Sequence, residues 1–310
     1  MIAKYGVTRR RTLRPAVRPA AGLLAAGLGL AALAGCGGSS SPQPAFTPAG
    51  GQSSSSGSGA GSGQGLGDQG SGGQTASQSA VQAFQAAADQ SKKINSYSIR
   101  MDESLTGAGA QHITGNMQFR LKPSLLAQVD LSIPPSSVNE ILTAKAAYLK
   151  IPGLGSTDKP WVKLSLTGKT GMGAALGQLL QSAENSNPAN QTAALTASKD
   201  LRKTGTAVVN GIPTTRYEGS YSVAVQLKKM PPALRKMTSK SIAALGITRV
   251  QFTIWIDGQH QMRRVITVEK GSSTTITTKL DIISINQPVN VTPPPPSQVT
   301  SAPTSLGTGI

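Results

Sequence analysis

Cys36 is the one cysteine of the chain, and it ends the stretch Leu33-Ala34-Gly35-Cys36 directly ahead of a run of Gly and Ser. A lone cysteine forms no internal disulfide, and a thiol beside a linker is not a core residue, so the chemistry open to Cys36 is modification. Other groups able to do chemistry are few. The two histidines, His112 and His260, each stand next to Gln in a polar stretch, and neither has the setting of a base oriented by a carboxylate. With Cys36 set aside, two separated histidines make no zinc cluster. Asp102 and Glu103 are adjacent, which on a strand sends them to opposite faces and rules out shared acid/base work. Gly168-Lys169-Thr170-Gly171 echoes the end of a phosphate loop, but Lys163 stands where the leading glycine is required. In Gly171-Met172-Gly173 the third glycine is missing, since position 176 is Leu. The expectation is a protein without catalysis, metal or cofactor.

What positions Cys36 lies upstream. Lys4, Arg9, Arg10, Arg11, Arg14 and Arg18 occur with no acidic residue, and residues 20–34 are only Ala, Gly and Leu. A positive segment followed by so short an apolar run reads as an export signal over residues 1–35. Its end resembles the lipobox of bacterial lipoproteins, in which the Cys thiol receives a diacylglyceryl group and the preceding peptide is removed. Residues 8–14 resemble a twin-arginine signal without the usual aromatic residue, which leaves the export route open. Two or three acyl chains on one Cys make a lasting anchor where a single chain does not. Through acylated Cys36 the protein is expected at the outer face of the cell membrane.

Charge agrees with that location. The formal charge is +17; six of the 30 basic residues and none of the 13 acidic ones precede Cys36, so the chain from Cys36 carries +11. Outside the cell such a balance suits anionic lipid or wall polymer, or serves solubility alone, and no nucleic-acid partner is expected. Residues 36–75 are mainly Gly, Ser, Gln and Pro, with Asp68 the one acidic residue and almost nothing apolar to bury. They read as a disordered leash with a root-mean-square span of about 35 Å. Residues 291–310, with Pro293-Pro294-Pro295-Pro296 at their start, read as an extended mobile tail. Residues 76–290 are then one domain, expected to be monomeric.

The domain opens with a helix over 79–88 that places Val81, Phe84 and Ala88 on one face. The period then becomes two, as in Ile99/Met101/Leu105, Met117/Phe119/Leu121 and Ala127/Val129/Leu131. Residues 147–151 and 161–166 follow, and a second group of strands occupies 204–209, 215–225, 248–257, 262–269 and 274–285. Helices are expected at 172–183 and 189–201 between the groups. Short connections and one polar face favour antiparallel pairing, and nine to eleven such strands must curl. The expected fold is α+β, a curled antiparallel β half-barrel covered on its concave face by α-helices.

Ala147-Tyr148-Leu149-Lys150, Trp161-Val162-Lys163-Leu164, residues 209–217, Ile254-Trp255-Ile256-Asp257-Gly258 and Arg263-Arg264-Val265 are similar, in order and spacing, to LppX/LprG-type lipoproteins of actinobacteria. These sit within a wider LolA-like group of half-barrel lipid carriers, and the similarity covers residues 78–292. It implies an apolar cavity between sheet and helices that holds acyl chains of glycolipids or other lipids, and it carries over no ligand residue individually. The alternative function is an envelope scaffold or signalling lipoprotein of the same fold without a cavity. Small residues in the covering helices (Gly171, Gly173, Ala174, Ala175, Gly177, Ala193, Ala194 and Ala197) either leave volume or let the helices pack close. Candidate wall residues are Met117, Phe119, Val129, Leu149, Val162, Leu164, Val223, Phe252 and Ile254, for each of which ordinary core is the default and ligand contact the alternative. Residues 227–240 hold Lys228, Lys229, Arg235, Lys236 and Lys240 and no acid. They are candidates for an anionic surface at a cavity mouth if helical from Ala233, or a solvated loop if not.

Overall fold

The computed structural model describes residues 77–107, 109–167, 198–228 and 232–301. Helix α1 (Gln78–Ser91) leads into strands β1 (Ser96–Gly107), β2 (Gln111–Arg120), β3 (Leu126–Ile133), β4 (Ser136–Thr143), β5 (Ala146–Lys150) and β6 (Trp161–Ser165). A second series follows with β7 (Arg202–Val209), β8 (Ile212–Ser222), α2 (Val223–Lys228), α3 (Pro232–Leu245), β9 (Arg249–Asp257), β10 (Met262–Lys270) and β11 (Thr274–Ile285). A 3-10 turn (Pro296–Gln298) and β12 (Val299–Ser301) complete it.

All twelve strands share one sheet in the order β12-β6-β5-β4-β3-β2-β1-β11-β10-β9-β8-β7. Each series is a meander of neighbours, and β1 pairing antiparallel with β11 from Tyr97↔Ile285 to Gly107↔Thr274 joins the two. Among the described strands only β12, against β6, pairs in parallel. Turn chemistry fixes the register locally. Asn210 and Gly211 both take positive φ, 49° and 79°, and close a two-residue hairpin whose flanks are Val209 and Ile212. Gly107 (φ 93°) has no room for a side chain, because a Cβ there would stand 2.1 Å from the Ser273 carbonyl oxygen. The sheet is open, with β12 at one end and β7 at the other, and so many right-twisted strands curl rather than lie flat.

Among the described residues the fold is thus a large, mostly antiparallel open sheet with few helices. Cross-strand register gives it one apolar face, running through Tyr217, Ile254, Val265, Leu280, Met101 and Leu131. Helix α1 lies on that face. Phe84 meets the Tyr217 ring edge-on at 5.6 Å and the Phe252 ring at 6.2 Å, and Ala80 and Ala87 are buried with it. Helices α2 and α3 add Val223 and Ile242 to Val250 and Ile276 on the same face.

Several expectations need correction. The buried stripe of α1 is Ala80, Phe84, Ala87 and Ser91, not Val81, Phe84 and Ala88. Strand 215–225 ends at Ser222, and Val223 begins a helix. Residues 198–201 form a turn rather than the end of a helix: the Ser198 hydroxyl donates to Asp200 Oδ1 at 2.6 Å, and the Ser220 N–H donates to the same oxygen at 2.9 Å. The other residues of the two expected covering helices lie outside the described residues. Strand β4 was not expected at all. Nor is the Pro-rich tail loose over its first part. Val291 is buried against Leu126 and Ile141 on the polar side of the sheet, and residues 299–301 pair with Trp161, Val162 and Lys163. The prolines prevent a regular element but leave Val299 free to resume one.

Candidate functional site

Of the nine candidate wall residues, eight lie on strands, and register puts all eight on the one apolar face. Phe252 and Ile254 sit under α1 and belong to its packing. Val223, at the start of α2, belongs to the cluster beneath α3. The other six spread across β2 to β6, in the rows Met117↔Val129 and Leu149↔Val162, with Phe119 and Leu164 beside them. Met117 and Val162 are each 1% exposed, Phe119 and Leu164 are buried, and Val129 and Leu149 are half-buried. Tyr97 stacks on Phe119 with ring centroids 4.7 Å apart, fixing the β1–β2 part of this surface. Where α1 meets the sheet, beside Ala87, Tyr97, Met262 and Ile282, there is a hollow of about 30 Å3. That is room for about a water molecule, not an acyl chain.

Three carboxylates interrupt this face, and the sequence analysis missed their role. Glu103 on β1 is 0% exposed and Glu269 on β10 is 3% exposed. They flank β11, Glu103 opposite Thr278 and Glu269 opposite Ile276. The Thr278 hydroxyl donates to Glu103 Oε2 at 2.8 Å, while Glu103 Oε1 is buried without a hydrogen-bond partner. Burial pushes the Glu103 carboxyl above the ordinary value, although the Thr278 hydrogen bond opposes this. Burial, reinforced by the charge of Glu103, pushes Glu269 up to about 7. Glu140, between Val129 and Leu149 in register, is also raised by burial. Tyr221 is raised by burial and by Glu269. The signal available in the sequence was the in/out alternation of β1, which puts Glu103 inside once Asp102 is outside.

The opposite face is polar and cationic. Trp255 lies between the guanidinium groups of Arg216 and Arg264, each 5.8 Å from its ring, and these pair with Glu218 and Asp281. An open depression of about 490 Å3 lies there among Arg100, Asp102, Asn116, Asp130, Asn139 and Lys279. His112 also lies on this face, its Nε2 3.4 Å from Asp102 Oδ1, with the two side chains 61% and 42% exposed. His260 is a turn residue with φ 58°, its N–H donating to the Asp257 carbonyl at 3.0 Å. The Asp257 carboxylate holds that turn by accepting from the N–H groups of Gln259 and Gln261 and from Arg263. Among the described residues no group of three or more His, Cys, Asp or Glu side chains could hold a metal.

Of the basic candidates, Lys228 ends α2, and Arg235, Lys236 and Lys240 lie on α3; Cys36 and Lys229 lie outside the described residues. Thr238 and Ile242 are buried one turn apart, while Lys236 and Lys240 are exposed on another side of the helix. Arg235 Nη2 donates to the Lys228 carbonyl at 3.2 Å, tying the two helices together.

No family model matches the chain. Over 103 residues it is 30% identical to an uncharacterized 31.2 kDa protein of Streptomyces griseus, a match covering 32% of this chain and 34% of that protein. The chain thus spans about a third of the curated relative it matches. Among solved structures, LprF of Mycobacterium bovis is 15% identical with a TM-score of 0.44, over 71% of this chain and 99% of that one. The lipoprotein LppX of Mycobacterium tuberculosis is 20% identical with a TM-score of 0.44, over 69% and 98%. A LolA superfamily protein of Nitrosomonas europaea is 8% identical with a TM-score of 0.26, over 68% and 94%. The structural neighbours are therefore mycobacterial lipoproteins of the LppX/LprG type, followed by LolA-like proteins.

Proposed function

We propose that this chain is an exported lipoprotein, anchored through acylated Cys36, that holds lipid acyl chains against the concave apolar face of its half-barrel under a helical cover and performs no covalent chemistry. The observation that carries this is the apolar row Phe119–Ala127–Leu142–Ala147–Leu164 running from β2 to β6 outside the footprint of α1, beside a parallel row that Glu140 alone interrupts. Burying an acyl chain there supplies about 25 cal/mol for each Å2 of apolar surface removed from water, so holding and handing over a lipid needs no chemical step. Lys228, Arg235, Lys236 and Lys240 on α2 and α3 supply a cationic approach to anionic headgroups.

A second function has one observation in its favour. The hollow of about 30 Å3 beneath α1 suits a filled interior, and hence a scaffold that binds partners through its polar face. Native mass spectrometry of the intact chain purified from its own host, followed by organic extraction, separates the two. Non-covalent lipid co-purifying in stoichiometric amount is the expected result; protein at the mass of the acylated polypeptide alone, with nothing released by extraction, overturns the carrier and leaves the scaffold.

A further inference from the structure

A lipid-holding face has no use for carboxylates, yet Glu103 and Glu269 are more deeply buried than most of its apolar residues. A buried carboxylate without a counter-ion is costly, and buried polar atoms almost always have a partner. The counter-ion is missing, and the hydrogen bonding of Glu103 is met at Oε2 alone, by Thr278. Glu103 Oε1 has no donor, and no cation of the surrounding strands serves the pair. Register turns Arg100 of β1, Lys279 of β11, Arg264 and Lys270 of β10 and Arg249 of β9 to the opposite face. Arg263, at the β10 bulge, is bound to Asp257. The surroundings add acceptors and hydroxyls: Thr278 and Thr267 face each other beside Glu103, and Tyr221 lies in the same cross-strand row as Glu269.

We infer that Glu103 and Glu269, with Thr278, Thr267 and Tyr221, form a recognition point for the ammonium group of an amino-bearing amphiphile whose acyl chain lies along the apolar face. An ammonium carries three donors and one positive charge. It would supply the hydrogen bond that Glu103 Oε1 lacks and the charge that two neighbouring carboxylates need. A hydroxyl would supply only the first of these, and an anionic headgroup neither.

The inference rests on the proposed lipid-holding function, and one titration separates the two. The intact chain is titrated by calorimetry at pH 7 with dodecylamine and with dodecanol, each below its aggregation threshold. Dodecylamine should bind at least tenfold more tightly, and Glu103→Gln should remove that preference by weakening the amine, with a smaller change for dodecanol, whose hydroxyl can still donate to the Gln amide oxygen. Glu269→Gln, a second variant with an independent effect on folding, should weaken amine binding in the same direction, with circular dichroism verifying the fold of both. Equal affinities in the wild type, or an amine preference that survives both substitutions, overturn the amine site and leave the lipid-holding function standing. Failure of both amphiphiles to bind the folded chain overturns that function and the amine site with it.

Discussion

Glu269 couples the apolar face to pH. Its carboxyl has an ordinary value of 4.5 and is pushed up to about 7 by burial and by the charge of Glu103. The groups that face it are Glu103, whose carboxyl is itself raised by burial, and the Tyr221 phenol, raised by burial and by Glu269. A carboxyl raised on folding stabilises the folded state below its unfolded value, and that contribution disappears as pH climbs through the folded value. Between pH 4.5 and 7 the loss is on the order of 3 kcal/mol. Melting curves should therefore show the wild type losing stability from pH 5 to pH 8 relative to Glu269→Gln, whose profile is flatter. A constant difference between the two across that range would mean that Glu269 ionises normally. At this scale the sequence was half legible. The alternation that separates Asp102 from Glu103 is local and could be read directly. The meeting of Glu103 with Glu269 depends on β1 and β10 both flanking β11, more than 160 residues away in the chain, and no local pattern carries that order.

At the scale of elements, the first helix and most strands were legible because their apolar positions repeat at 3.6 or 2. What was missed has identifiable causes. In β4, Val138 and Leu142 face the apolar side with Glu140 between them, while Ile141 on the other side is covered by Val291. A strand with apolar residues on both faces and an acid on the inner one shows no clean alternation. Strand β12 is three residues long and follows a proline run. In α1 the stripe is shifted by one residue, because Ala80 and Ala87 are small enough to let the helix seat Phe84 between Tyr217 and Phe252. That geometry separates the two possible faces by experiment. Phe84→Ala removes a fully packed ring and should cost about 3–5 kcal/mol. For a domain of this size that lowers Tm by roughly 10 °C. Val81→Ala, on the half-buried flank, should cost under about 1.5 kcal/mol. Equal losses in scanning calorimetry would restore the face centred on Val81.

Among the described residues the strand cations sort by face while carboxylates lie on both. Cations of β1, β8, β10 and β11 share one side of the sheet with Asp102, Glu218 and Asp281, Glu103 and Glu269 are buried in the other, and further cations lie on α2 and α3. The sequence showed the surplus but not its sorting, since a strand sends neighbouring residues to opposite faces and only the register across the sheet makes those faces continuous. Two cationic surfaces could then meet an anionic membrane. The sheet side holds much of its charge in pairs, such as Arg264 with Asp281 and Arg202 with Glu218. No acidic residue occurs in 227–240, so this segment carries no countercharge of its own. Each such cation near an anionic surface is worth about 1 kcal/mol. Replacing Lys228, Lys229, Arg235 and Lys236 by Ser should therefore reduce co-sedimentation of the unacylated chain with vesicles rich in anionic lipid by at least tenfold at low salt. Screening should shrink that difference as salt rises. Replacing the paired arginines of the sheet face, Arg202, Arg216 and Arg264, should cost less, because Glu218 pairs with the first two and Asp281 with the third. If the sheet-face variant instead loses the binding, the membrane is met by the polar face, and the helices have no part in the approach to anionic headgroups.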